Sequence, residues 1–153
     1  MIDEKEYHRK FAIECFNNTW ELLENNERTP DDDIRMIHMA HASRFHWGEV
    51  GTTLNFARGD WQVSRVYAVL GLGNNALYYA KFCLHLCLEN GIGDFDLAFA
   101  YESMARAYDV LNDIPNRDQL LELAQNAGDT IAKKEDKEYF FSELRTIIQN
   151  DAK

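Results

Sequence analysis

Apolar residues recur along this chain at intervals of three and four, and runs of polar residues interrupt them repeatedly, a pattern that predicts about seven helices and no strand. The first, over about 4–26, sets Phe11, Ala12, Cys15, Phe16, Thr19, Leu22 and Leu23 on one side and ends in NNERTPDDD. Asp31, Asp32 and Asp33 suit the positive N-terminal end of a second helix, over about 32–47. Its inward stripe is expected to begin with Ile34 and Ile37 and to continue through His41, Phe45 and Gly48. GEVGTT closes that helix and opens a third, over about 53–71, which stops at LGLGNN. A fourth, over about 74–90, carries Ala76, Leu77, Ala80, Cys83, Leu84 and Cys87 inward and stops at NGIGD. Its dense run YYAKFCLHLC reads as a helix buried on several sides. Asp94 is the expected N-cap of a fifth helix, over about 95–111, and NDIPN turns the chain into a sixth, over about 116–132. A seventh, over about 135–150, aligns Tyr139, Phe140, Leu144, Ile147 and Ile148. The connections are short, so consecutive helices should run antiparallel as stacked hairpins.

Length and composition narrow this to one domain spanning 1–153 with one continuous core: 46% of residues are hydrophobic and 27% charged, with few glycines and prolines. The net charge of −10 opposes nucleic acid and anionic lipid as partners. That charge is uneven, with residues 1–34 at −6, 35–90 at +2 and 91–153 at −6. Cys15, Cys83 and Cys87 form no CxxC pair and suit small buried apolar positions in a reducing compartment. No signal-peptide pattern and no apolar run of membrane-spanning length occurs, so a cytoplasmic location is expected.

A weak internal match joins RGDWQVSRVYAVLGLGNNALYYAKFCLHLC to AYESMARAYDVLNDIPNRDQLLELAQNA. Tyr67, Leu70, Gly71, Ala76, Ala80 and Cys83 in the first stretch correspond to a similar arrangement of Tyr101, Met104, Ala105, Tyr108, Leu121 and Ala124 in the second. These positions resemble the tetratricopeptide repeat over roughly residues 57–130, with Asp60, Ser64 and Arg117 departing from its pattern. The resemblance implies an all-α fold of right-handed helical hairpins, with a diverged helical pair over 1–50, two repeat-like hairpins over 53–132 and a capping helix over 135–150. It also implies a concave groove lined by Arg58, Trp61 and Arg65 in the first unit and by Phe99, Glu102, Arg106 and Asp109 in the second.

Whatever the family, Arg58, Trp61 and Arg65 share one helix face by spacing. Guanidinium groups beside an indole suit a carboxylate or phosphate with a planar or apolar portion on the ring. The same residues also suit a tryptophan in the core with arginines pairing to Asp60, Glu102 or Asp94. His38, His41, Arg44 and His46 allow three readings: a buried polar network satisfied by carbonyls or by Asp94 or Asp96, an anion site in the groove, or a metal site with Glu49. No HExxH, GxSxG or GxxxxGK[ST] motif occurs, and Ser43 beside His41 and His46 does not form a triad.

The expected function is a non-catalytic binding or scaffold module without cofactor or metal. Its groove would hold a peptide or anionic chain end through Arg58, Trp61, Arg65, Arg106 and Glu102, with His41 and Arg44 contributing. The alternative is a small enzyme or small-molecule sensor using the cluster of residues 38–65, and aromatic faces on the first and last helices could support a homo-oligomer.

Overall fold

The structure, a computed structural model, describes residues 3–149. Seven helices form among the described residues: α1 Glu4–Glu24, α2 Pro30–Val50, α3 Thr53–Val69, α4 Gly73–Glu89, α5 Asp94–Val110, α6 Ile114–Asp129 and α7 Lys134–Gln149. No strand forms among them. The ends differ from expectation where capping chemistry outweighs periodicity. Thr29, not an aspartate, caps α2: its hydroxyl accepts from Asp32 N at 3.1 Å and its own N–H donates to Asp32 Oδ2 at 3.0 Å. Pro30 follows at the first turn, where its missing N–H costs nothing. At the other end α2 runs through Gly48 to Val50, because the break is set by Gly51 and by the capping box of Thr52 with Asn55. Asp94 lies inside α5 rather than capping it, with φ at 54°, and Gly93 is the N-cap.

Three helix ends share one device. Leu72 N donates to Tyr67 O, Ile92 N to Cys87 O and Asp113 N to Tyr108 O, each at 2.9 Å, closing the wide loop of a Schellman motif. The residue inside each loop is left-handed: Gly71 at φ 78°, Gly91 at 63° and Asn112 at 59°. Glycine carries no Cβ penalty there and asparagine a small one, which is why the chain punctuates with these residues. Thr53 to Asp94 and Gly73 to Ile114 are each separated by 41 residues, so the hairpin repeats along the chain.

Consecutive helices pack against one another, and α3 also touches α1 and α5, as α5 touches α7. The backbones of the even-numbered helices stay apart among the described residues, bridged between α2 and α4 only by long side chains such as Tyr79 on His41, so they splay while the odd ones crowd. The odd-numbered layer is therefore the concave side. The core follows the small residues: Ala57, Ala68, Ala76, Ala80, Ala98, Ala100, Ala105, Ala107 and Ala124 are buried where helices approach closely. Four apolar clusters join into one body through shared partners, Trp61 and Leu84 between two of them, Tyr67 and Leu77 between others.

The same preference for small residues rotates two helices from their expected faces. In α2 the buried residues are Met36, Ala40 and Ser43, while Ile34 and Phe45 are 55% and 60% exposed. Ser43 fixes that rotation by donating to Ala12 O of α1 at 2.7 Å, a contact no large side chain would allow. The α4 run is buried on one face only, through Ala76, Ala80, Cys83 and Cys87; Tyr78, Phe82 and Leu88 are exposed. In α1, Phe11 is exposed and Cys15 only half-buried, with Ala12 and Thr19 at the interface. In α7, Phe140, Leu144 and Ile147 are buried, and the Ile148 side chain lies outside the described residues.

Candidate functional site

Aromatic side chains from alternate helices meet on the concave side. Phe16 and Trp20 come from α1, Trp61 from α3, Phe95 and Phe99 from α5, and Tyr139 from α7. They surround a cleft of about 200 Å³ whose floor is Ala57 and Cys83 and whose rim includes Arg58 and Asp96. The Trp20 and Trp61 rings lie 5.4 Å apart and tilted by 33°, and Trp61 meets Phe99 edge-on at 5.6 Å. Phe95 and Phe99 are 4.7 Å apart, with Tyr139 closing the wall 5.9 Å from Phe99. Such edge-to-face and offset pairs hold aromatic walls in fixed orientation. The α1 wall is tied to α3 by Gln62 Nε2, which donates to Phe16 O at 2.9 Å. Trp61 Nε1 is shielded from solvent and has no acceptor among the described residues.

A second hollow, of about 180 Å³, adjoins the first. It is lined by Ile13, Asn17, Trp47 and Asn55, and shares Phe16 and Arg58 with the aromatic cleft.

The arginine stripe is present on one face as its spacing requires, but each guanidinium faces a carboxylate. Arg58 makes a fork to Asp96, Nε to Oδ1 at 2.9 Å and Nη2 to Oδ2 at 3.1 Å. The Asp96 hydrogen bond raises the Arg58 pKa against a smaller opposing effect of burial. Arg65 reaches Glu102 at 3.2 Å and Glu143 at 3.7 Å, and lies 5.2 Å above the Trp61 ring. Arg106 donates to Glu102 Oε1 at 2.6 Å and also to Glu143 O and Thr146 Oγ1. Glu102 is completely buried; burial alone would raise its pKa, but Arg106, Arg65 and their hydrogen bonds outweigh that and hold it low. The result is a charged ladder across α3, α5 and α7.

The histidine cluster of the sequence divides between two places. His41 Nε2 meets Tyr67 Oη at 2.8 Å with Tyr79 edge-on, and burial, then His38, lower its pKa. His46 Nδ1 meets His8 Nδ1 of α1 at 2.8 Å; burial and His8 lower its pKa against Glu49. Arg44 pairs with Asp60 at 3.0 Å, not with Asp94 or Asp96, and its stem packs where a Cβ on Gly59 would stand. Burial pushes the Asp60 carboxyl up against the pull of Arg44. Among the described residues no group of three His, Cys, Asp or Glu side chains gathers to hold a metal, and no helix is long and apolar enough to cross a membrane.

Of the residues singled out in the sequence, Arg58 and Trp61 line the cleft; Arg65, Glu102 and Arg106 form the ladder; His41 and Arg44 lie apart from the cleft lining. Phe16, Trp20, Phe95 and Tyr139 join the cleft without having been singled out as site residues. Phe16 and Trp20 are four apart on one helix, a signal that could have marked a shared aromatic wall but not what it faces. Comparison with family models, with curated proteins and with solved structures returned no match.

Proposed function

We propose that this chain is a non-catalytic binding module, stacked in the manner of tetratricopeptide repeats, whose concave cleft holds an apolar side chain of an extended peptide. The observation that carries this is the aromatic cleft itself, walled by four helices and open where the arginines around it are already engaged. With the guanidiniums paired, what the surface offers a ligand is mainly apolar. A space of this size suits one ring or one branched aliphatic chain. The adjoining hollow suits a second side chain, since alternate residues of an extended segment project to the same side. A peptide carbonyl could also satisfy Trp61 Nε1 after a small shift of the ring, relieving an unmet donor that costs about 1–3 kcal/mol.

The hairpin spacing of 41 residues exceeds the family's usual length of about 34, so the likeness is one of stacking rather than of repeat length. An enzymatic role would draw on His41 or His46, and neither lines the cleft.

The test is selection of peptides from a displayed random library, followed by titration against wild type and Trp20→Ala. Selected peptides should share a bulky apolar residue and alter tryptophan emission. They should bind Trp20→Ala at least about tenfold more weakly, as loss of one wall of a buried side chain implies. Peptides that bind wild type and Trp20→Ala equally would refute the cleft as their site.

A further inference from the structure

The charge at the cleft mouth constrains what can stand beside the anchoring side chain. Tyr139 donates to Glu143 Oε1 at 3.2 Å, and its pKa is raised by burial, by Glu143 and by Glu24, with Arg65 opposing. Glu24 lies one helical turn beyond Trp20 on α1 and makes no ion pair among the described residues. Glu143 has only a share of Arg65, which stands closer to Glu102. Three guanidiniums, of Arg58, Arg65 and Arg106, are therefore set against four carboxylates, of Asp96, Glu102, Glu143 and Glu24. The excess is negative, and since Glu102 is enclosed it falls on Glu143 and Glu24, on the Tyr139 side of the cleft.

We infer that the segment held in the cleft carries a lysine or arginine next to its apolar anchor, with the cation standing toward Glu24 and Glu143. This deepens the proposed peptide-binding role and rests on it. In an extended segment the neighbour of the anchor points away from the cleft floor, and a long cationic side chain can lay its stem on the aromatic rim while its head reaches a carboxylate. An acidic neighbour would meet like charge. Arg58 cannot readily compensate for it, because turning to a new anion would strip Asp96, itself only 18% exposed, of both its hydrogen bonds. The module should thus select basic segments, in keeping with a chain whose net charge is −10.

Three acetylated, amidated peptides of equal length test this, each with a central phenylalanine flanked on both sides by lysine, glutamine or glutamate. They are titrated by fluorescence polarisation against wild type, Glu24→Gln and Trp20→Ala. Glu24 is exposed, so its replacement leaves the fold intact. The lysine peptide should bind wild type about two- to fivefold more tightly than the glutamine peptide, and the glutamate peptide more weakly than either. The preference should shrink with added salt and in Glu24→Gln, while the glutamine peptide's affinity stays unchanged. If lysine and glutamine peptides bind equally, or the glutamate peptide binds best, the charge preference is overturned; weakening of all three by Trp20→Ala would then keep the cleft as the peptide site. If none of the three binds wild type, or Trp20→Ala weakens none, both the peptide site and the charge preference fall.

Discussion

Replacing Glu102 with alanine removes the carboxylate shared by two guanidiniums that are only 11% and 15% exposed. Arg65 would keep Glu143 at 3.7 Å, and Arg106 would keep Glu143 O and Thr146 Oγ1, so neither cation is abandoned completely. Breaking a buried pair by deleting one partner costs about 3–5 kcal/mol, and these residual contacts place the loss near the lower end, about 3 kcal/mol. For a chain of this size that corresponds to a fall in Tm of roughly 6–12 °C. Urea unfolding followed by far-UV circular dichroism measures it. The loss should depend on pH: the Glu102 pKa is held below its ordinary value, so its contribution is complete above the unfolded pKa of about 4.3 and vanishes as pH falls through the folded one. The gap between wild type and variant should therefore narrow in acid. Replacing Arg65, Glu102 and Arg106 together by apolar residues of similar volume should restore much of the loss, since no charge is then left buried alone. A Glu102→Ala variant within about 0.5 kcal/mol of wild type at neutral pH would refute the ladder as a source of stability.

Other substitutions separate the remaining features. Arg58→Ala should cost at most about 1 kcal/mol, because its pair with Asp96 is half exposed, and a larger loss in urea unfolding would contradict that assignment. Gly128→Ala should cost about 1–3 kcal/mol, since a Cβ there would stand 2.5 Å from Phe140 Cε2; an unchanged urea midpoint would show that α6 and α7 separate freely. His46 and His41 both titrate below their usual value in the fold, so stability should be complete above about pH 6.5 and fall as pH drops through the lower folded values. His46→Gln should flatten part of that slope, and the protection of α1 amides against hydrogen exchange, corrected for the intrinsic rate at each pH, should fall with acid in wild type; identical slopes would exclude His46 as a contributor.

Helix number was legible because periodicity and punctuation are local properties, and the boundaries missed by a few residues were those decided by side-chain caps such as Thr29. Facing was less legible. Large apolar residues dominate any sequence pattern, yet Ile34 and Phe45 are exposed because the α1–α2 interface is built on Ala12, Ala40 and Ser43. For the site, spacing put Arg58, Trp61 and Arg65 on one face, but whether a guanidinium meets a ligand or a carboxylate depends on where Asp96 and Glu102 arrive. The cleft needs Phe16 and Tyr139 together, and their proximity is a product of stacking angles that no local pattern carries.

The ladder also acts as a register key. Alanine-rich helix faces are nearly self-similar, so sliding α5 by one turn, about 5.4 Å, along α3 and α7 would exchange one set of small apolar contacts for another. Arg65 and Arg106 occupy matching places in successive hairpins, 41 residues apart, and converge on one enclosed carboxylate. A slip would carry that carboxylate away from both, so the helices have one favoured alignment. Because that alignment is locked beside the cleft rather than by its α1 wall, a smaller residue at Phe16 or Trp20 should reshape the cleft without moving α5 along α3 and α7.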